Sequence, residues 1–306
     1  MDWYVELDKR LAEELPDLKV VCDEMMSRHT SFRIGGPARR MAYPSSCEQM
    51  VALMGIAAEC DARPLVIGKG TNLLIADEGL DRLVIDTSEM NRMELGREPF
   101  ALMADAGVSL ARLADFACKQ GMAGLEFAHG IPGTVGGAVC MNAGAYDGEM
   151  KQVIEQVTVY FPGEGVREIA GAGMDFSYRH SLLSERPDAV VLSAVFRLKA
   201  GDPEVIRERM RELMARRKAS QPLEFPSAGS TFKRPAGYFA GTLIDQNGLK
   251  GLTVGGAQVS EKHAGFVINV GNATFKDVTG LIEAIQERVF AATGVHLEPE
   301  VKMIRS

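Results

Sequence analysis

The chain has 306 residues, 34 of them Lys or Arg and 41 Asp or Glu, for a formal charge of −7. Hydrophobic residues make up 46% and charged residues 25%, which excludes a largely disordered chain and leaves room for two or three domains. No uncharged apolar run approaches the roughly 18 residues that cross a bilayer, the acidic start MDWYVELDKR is unlike a signal peptide, and the negative balance speaks against nucleic-acid coating, so a cytoplasmic protein is expected.

The first expected elements form a small α/β unit over about 46–86. Ser46 is an N-cap with Gln49 three residues on, and Met50, Val51, Leu53, Met54 and Ala57 follow at mostly helical spacing. The runs 65–67, 73–75 and 83–85 have the length of buried strands. From 87 to 199 the pattern is α+β: a strand over 101–108, a helix capped by Ser109 and stopped at Gly121, a glycine-rich segment, and strand runs at 153–161 and 189–199. Pro203 opens a charged helix to about 218, with Ile206, Met210, Leu213 and Met214 on one face, and the composition shift near 200 marks a domain boundary. The last helix runs from Asp277 to about Thr293, with Val278, Leu281, Ile282, Ile285 and Val289 in one stripe and Gly294 ending it.

Five cysteines without a C-x-x-C pair read as buried free thiols, and the five histidines lack metal-ligand spacing, so no metal is expected. Glycine is the strongest signal, with 32 residues in clusters. Gly68, Lys69, Gly70, Thr71 and Asn72 join two strands without forming a Walker loop or a G-x-G-x-x-G fingerprint. They read first as a tight turn and second as a phosphate loop. A second cluster holds Gly130, Ile131, Pro132, Gly133, Gly136 and Gly137. Ile131, Val135, Val139 and Met141 argue against a solvated loop there and for a cradle that takes something flat or anionic. In the third, Ser227 to Pro235, small residues and hydroxyls stand beside Lys233 and Arg234, suited to an anionic substrate. Arg179, in FSYRHS, and Glu300, in LEPEV, fit a carboxylate clamp and an acidic site group, or equally a solvated turn and an exposed strand.

In that order the clusters match a known family. The chain resembles UDP-N-acetylenolpyruvoylglucosamine reductase, a flavoenzyme of bacterial peptidoglycan precursor synthesis, through HTSFRIGGPA (29–38), GKGTNLLIAD (68–77), GLEFAHGIPGTVGGAVCMNAGAY (124–146), FSYRHS (176–181), SAGSTFKRP (227–235), AGTLIDQNGLKG (240–251) and LEPEV (297–301). The resemblance implies an α+β chain: a two-subdomain FAD-binding fold of the vanillyl-alcohol oxidase type, expected at 1–86 and 87–199, and a C-terminal α+β substrate domain at 200–306. It also implies noncovalent FAD whose pyrophosphate meets backbone amides of the loops 68–72 and 130–137, with NADPH as co-substrate and a UDP-sugar as substrate. Arg179 and Glu300 then flank the reacting enolpyruvyl group and Ser230 delivers a proton, while Tyr178, Lys218 and Arg234 are substrate-binding. No nucleic acid, membrane insertion or obligate protein partner is implied.

One branch of the family inserts a substrate-covering tyrosine loop. No such insertion lies between Arg179 and Ser230, and Arg234 stands where that branch carries asparagine, so the chain resembles the shorter branch. Two competing functions are an alcohol or sugar oxidase on the same flavin fold and a non-catalytic nucleotide-binding protein using the charged helix near 204–218. The oxidase needs no Ser230 together with Glu300, and the helix balances its cations with acids.

Overall fold

The structure, a computed structural model, describes residues 2–306. Its helices are α1 (Trp3–Glu14), α2 (Cys47–Glu59), α3 (Leu110–Lys119), α4 (Val135–Cys140), α5 (Pro203–Ser220), α6 (Ala240–Gln246) and α7 (Phe275–Thr293). The chain divides into two compact units. One comprises the N-terminal stretch to Val21, Arg40–Gly68 and Arg82–Arg216; the other comprises Cys22–Arg39, Lys69–Asp81 and Arg217–Ser306. This division differs from the expected 1–86, 87–199 and 200–306. The first two stretches fall mostly in one unit, and the later boundary lies inside α5, because Ile206 and Met210 are buried in a core of the first unit.

The first unit has two cores. In one, Leu7 and Leu11 of α1 pack with Met50, Leu53 and Ala57 of α2 and with Leu83 and Ile85. Ser46 caps α2 by accepting from the Gln49 amide at 3.2 Å, while the Gln49 side chain returns to the Ser45 amide at 2.8 Å. Strand Leu65–Ile67 runs parallel to strand Leu80–Asp86, with Leu65 opposite Val84. The other core lies on a five-stranded antiparallel sheet ordered Gly165–Ala170, Ile154–Phe161, Val190–Arg197, Ala101–Asp105 and Met93–Leu95. Leu113, Ala114 and Ala117 of α3 fill it together with Val135 and Val139 of α4. Alternating burial along Val190–Arg197 reflects the two-residue period of a strand. The strand expected over 101–108 ends at Asp105, where the chain turns.

In the second unit, α6 and α7 cover a three-stranded antiparallel sheet of Thr253–Val254, Ala257–Val259 and Val267–Asn269. The α7 stripe of Val278, Leu281, Ile282, Ile285 and Val289 is buried as its spacing requires. Thr274 and Asp277 close a capping box at its start, and Gly294, at φ +71°, ends it. Strand Leu73–Ile75 pairs in parallel with Lys302–Ile304, carrying the C-terminal segment to the 69–81 loop.

Among the cysteines only Cys60 and Cys118 are buried; Cys22 is exposed and Cys47 and Cys140 are half-buried, so the expectation of five buried thiols holds for two. No helix among the described residues is long and apolar enough to cross a membrane.

Candidate active site

In the first unit the glycine-rich segment is a short irregular run leading into α4. The Val135 amide donates to the Val108 carbonyl at 2.9 Å and the Gly136 amide to Ala106 at 2.8 Å, which fixes the helix start against the sheet. A Cβ on Gly68 would lie 2.2 Å from Thr134 Oγ1, so the end of the first glycine loop presses on the second cluster and only glycine fits. Gly133 and Gly137 differ. A Cβ at either would meet its nearest neighbouring atom at 3.8 Å and 3.7 Å respectively, an ordinary packing distance, so the surrounding protein does not itself demand glycine there. Gly130, Ile131 and Gly133 are half-buried and Pro132 is exposed. His129, just before Gly130, has its Nδ1 buried with no hydrogen-bond partner among the described residues. Glycines that the surrounding protein does not demand leave main chain without side-chain cover, which fits a flat anionic group such as FAD.

Arg179 sits at the tip of a tight hairpin. The amides of Ser177 and His180 donate reciprocally to each other's carbonyls at 3.2 Å, and Arg179 takes φ +55°, a left-handed conformation costly for any residue with a Cβ. The hairpin is anchored to the end of α4. Asn142, 1% exposed, donates from Nδ2 to the Ser177 carbonyl and to Glu149 Oε2, both at 3.0 Å, and accepts from the Lys151 amide at 2.9 Å. Ser181 Oγ donates to the Cys140 carbonyl at 2.9 Å. Tyr178 is exposed beside Arg179, whose guanidinium lies 5.2 Å from the ring centroid.

In the second unit three expected site segments meet. The Glu300 amide donates to the Thr231 carbonyl at 2.8 Å, next to Ser230, and Phe232 bridges to Pro299. Asn72 Nδ2 donates to the Glu300 carbonyl at 3.0 Å, and the Lys302 amide donates to the Asn72 carbonyl at 2.9 Å. Gly70 is buried at φ +57°, where a Cβ would stand 2.0 Å from the His29 carbonyl oxygen; Lys69 is exposed and Thr71 half-buried. Ser230 itself is exposed and Glu300 half-buried.

The Thr231 amide donates to the Gly265 carbonyl at 2.8 Å, which brings the His263 loop beside Ser230. His263 Nδ1 accepts from the Gly265 amide at 3.1 Å, leaving Nε2 to carry the ring proton in the neutral form, and burial pushes its pKa down. Arg234 is exposed with its guanidinium 4.5 Å from the Phe239 centroid. Lys218 is exposed in the last turn of α5, its carbonyl accepting from Lys262 Nζ at 2.7 Å. The sequence reading singled out neither Asn142 nor His129; burial and hydrogen bonding, not residue type, set them apart.

Residues 38–169 match a family described as an FAD binding domain, and residues 221–304 match the C-terminal domain of UDP-N-acetylenolpyruvoylglucosamine reductase. The chain is 48% identical over 307 residues to the UDP-N-acetylenolpyruvoylglucosamine reductase of Agathobacter rectalis, with 97% of each chain covered. It is 46% identical over 295 residues to that of Caldanaerobacter subterraneus subsp. tengcongensis, covering 96% of this chain and 97% of the other. The crystal structure of UDP-N-acetylenolpyruvylglucosamine reductase from Thermus caldophilus superimposes with a TM-score of 0.79 at 36% identity, over 94% of this chain and 98% of that one. An alkyldihydroxyacetonephosphate synthase shares the fold alone, with a TM-score of 0.50 at 22% identity over 64% of this chain and 40% of its own.

Proposed function

The chain belongs to the UDP-N-acetylenolpyruvoylglucosamine reductase family, and from that membership we propose how its residues divide the work. The protein is an FAD oxidoreductase of peptidoglycan precursor synthesis that reduces the enolpyruvyl ether of its UDP-sugar substrate, on an FAD-binding fold of the vanillyl-alcohol oxidase type. The finer assignments are our reading: NADPH as the reductant, noncovalent FAD, cytoplasmic location, and the residues below. The two cores of the first unit are taken as the two FAD-binding subdomains and the C-terminal core as the substrate domain.

Gly68, Lys69, Gly70, Thr71 and Asn72, with Gly130, Ile131, Pro132, Gly133, Gly136 and Gly137, are assigned to FAD. The half-buried Gly133 and the exposed Gly137 support this, because without a Cβ they let a ligand approach the main chain. When bound and reduced by NADPH, FAD would supply the hydride that the vinyl-ether carbon receives. Arg179 then stabilises the substrate carboxylate as negative charge spreads into it, a role that rewards a cation fixed in place beforehand. Ser230 Oγ gives its proton to the carbon next to that carboxylate, and Glu300 borders the same group. Tyr178, Lys218 and Arg234 are assigned to the UDP-sugar, the cations to its diphosphate.

The observation that carries this assignment is the chain of hydrogen bonds joining Asn72, Glu300 and Thr231, because it ties one expected cofactor residue to Glu300 and to the chain neighbour of Ser230. The test is spectroscopic. The purified protein should be yellow, lose the colour to NADPH and regain it on adding the enolpyruvyl substrate, and acid should release the flavin into solution. Rapid reoxidation by oxygen instead of substrate would indicate an oxidase, and flavin left on the precipitated chain would refute noncovalent binding.

A further inference from the structure

Phe239 stands directly before α6, where helices favour Ser, Thr, Asp or Asn, and its side chain makes no capping hydrogen bond. It adds little to the core either, being 60% exposed. The Arg234 guanidinium lies over one face of its ring, 4.5 Å from the centroid. The segment between them is a closed turn: the Tyr238 amide donates to the Pro235 carbonyl at 3.1 Å, with Gly237 at φ +77°, a left-handed value that suits glycine. The ring is therefore held by a tight turn and a stacked cation while most of it stays in water. The same turn leads to the Ser230 segment. A Cβ on Gly241, two residues after Phe239, would stand 3.3 Å from the Gly265 amide nitrogen, and the Gly265 carbonyl accepts from the Thr231 amide at 2.8 Å. All these residues belong to the second unit.

We propose that Phe239 is the stacking platform for the uracil of the UDP-sugar, which lies on the ring face opposite Arg234. A guanidinium covers one face of an exposed ring and leaves the other to a flat group, and bases stack on aromatic rings whatever their hydrogen-bonding edge. In the substrate the enolpyruvyl group and the uracil are at opposite ends, with the sugar and the diphosphate between them. Ser230, Arg234 and Phe239 follow in the same order along the chain. Phe239 is thereby a substrate-binding residue that recognises the nucleotide end and takes no part in the chemistry. The proposal rests on the assignment of Arg234 to the diphosphate. Tyr238 supplies a control: it is 50% exposed, but Phe239 has extended backbone at φ −113°, ψ 121°, where neighbouring side chains point apart.

Steady-state kinetics of the holoenzyme with the enolpyruvyl UDP-sugar tests this, with FAD content and melting temperature as the check on folding. Phe239→Ala should lower kcat/KM about 10- to 100-fold, the range for one base stacked on one aromatic ring. The loss should fall on KM and leave kcat within about threefold, because the uracil is bound equally in the ground and transition states. Phe239→Trp should return kcat/KM to within about threefold of native, since it keeps an aromatic face, and Tyr238→Ala should stay native. A double-mutant cycle separates stacking from a ring that only holds the arginine. In an Arg234→Ala background, Phe239→Ala should still cost about 10-fold or more. Disappearance of that loss would overturn the proposal, as would native kcat/KM in Phe239→Ala, a loss confined to kcat, or Phe239→Trp as impaired as the alanine variant. An equal loss in Tyr238→Ala would overturn it too. Arg234→Ala alone tests the underlying assignment: native KM there would refute the diphosphate site and the platform with it. A raised KM in Arg234→Ala beside a native one in Phe239→Ala would refute only the stack.

Discussion

The side chain of Asn72 donates to the backbone carbonyl of Glu300 at 3.0 Å, joining the first glycine loop to the C-terminal LEPEV segment. The same Glu300 donates its amide proton to the Thr231 carbonyl, so both main-chain polar groups of Glu300 are engaged and its backbone is held from two sides. The Asn72 backbone adds a third tie by accepting from Lys302, which continues the parallel pairing of Leu73–Ile75 with Lys302–Ile304.

Asn72→Ala removes the donor and leaves a half-buried carbonyl without its partner. We expect a stability loss of about 1–2 kcal/mol in urea unfolding. Turnover should fall about tenfold or more as the Glu300 backbone loses its fixed placement. Unchanged turnover in a destabilised variant would make this bond structural only.

Arg179 holds a backbone angle that glycine adopts freely. Arg179→Gly should therefore relieve strain of up to about 1 kcal/mol while removing the cation assigned to the substrate carboxylate. The expected outcome is a fold at least as stable as the native one, with turnover lower by about 10² or more. Native turnover would exclude Arg179 from the site. A large stability loss would mean that the hairpin depends on the arginine side chain and not on the Asn142 and Ser181 anchors.

Much of the fold is legible in the sequence where capping and periodicity agree. Ser46, Ser109 and Gly294 mark helix ends that the structure contains, and the stripes of α5 and α7 are buried at Ile206, Met210 and Leu213 and at Val278 through Val289. The helix inside the glycine cluster, read from the sequence as a cradle, was not legible there. α4 contains Gly136 and Gly137, poor helix formers, and its start is fixed by carbonyls of Ala106 and Val108, roughly thirty residues earlier in the chain. Asn72 reaching Glu300, 228 positions away, has no local signature, since an asparagine after a glycine turn looks the same whatever it touches. The left-handed Arg179 is likewise invisible, because residue type argues against that conformation and only the surrounding anchors impose it. His129 was read only for metal spacing, and its unsatisfied nitrogen appears only once the chain has folded around it.

Asp105 offers a test of burial away from the site. It is 7% exposed, accepts from the Arg92 amide at 3.3 Å, and burial pushes its pKa above the ordinary carboxylate value. A raised folded pKa means that the folded state holds its proton more tightly than the unfolded state. The penalty of ionising it is therefore full above the folded pKa and is gone once pH falls below the unfolded value of about 3.9. Asp105→Asn keeps an acceptor for Arg92 and should raise the melting temperature at about pH 8, with the gain shrinking toward about pH 4. The same change should lower the pKa of Cys47, whose thiol is pushed up to about 11 by burial first and by the Asp105 charge second, and faster alkylation of Cys47 would report it. A stability gain that does not vary with pH would contradict the account.

The central claim is that Ser230 delivers the proton that completes reduction of the substrate, and stopped-flow absorbance of Ser230→Ala tests it most directly. The serine is exposed and its neighbour Thr231 makes the backbone contacts of this segment, so the alanine variant should fold and bind FAD. NADPH should bleach the flavin at a near-native rate, because that half-reaction takes no proton from Ser230. Reoxidation by the enolpyruvyl sugar nucleotide should slow by at least about 10²–10⁴, the usual contribution of an acid–base group. Equal slowing of both half-reactions, or native reoxidation, would contradict the assignment.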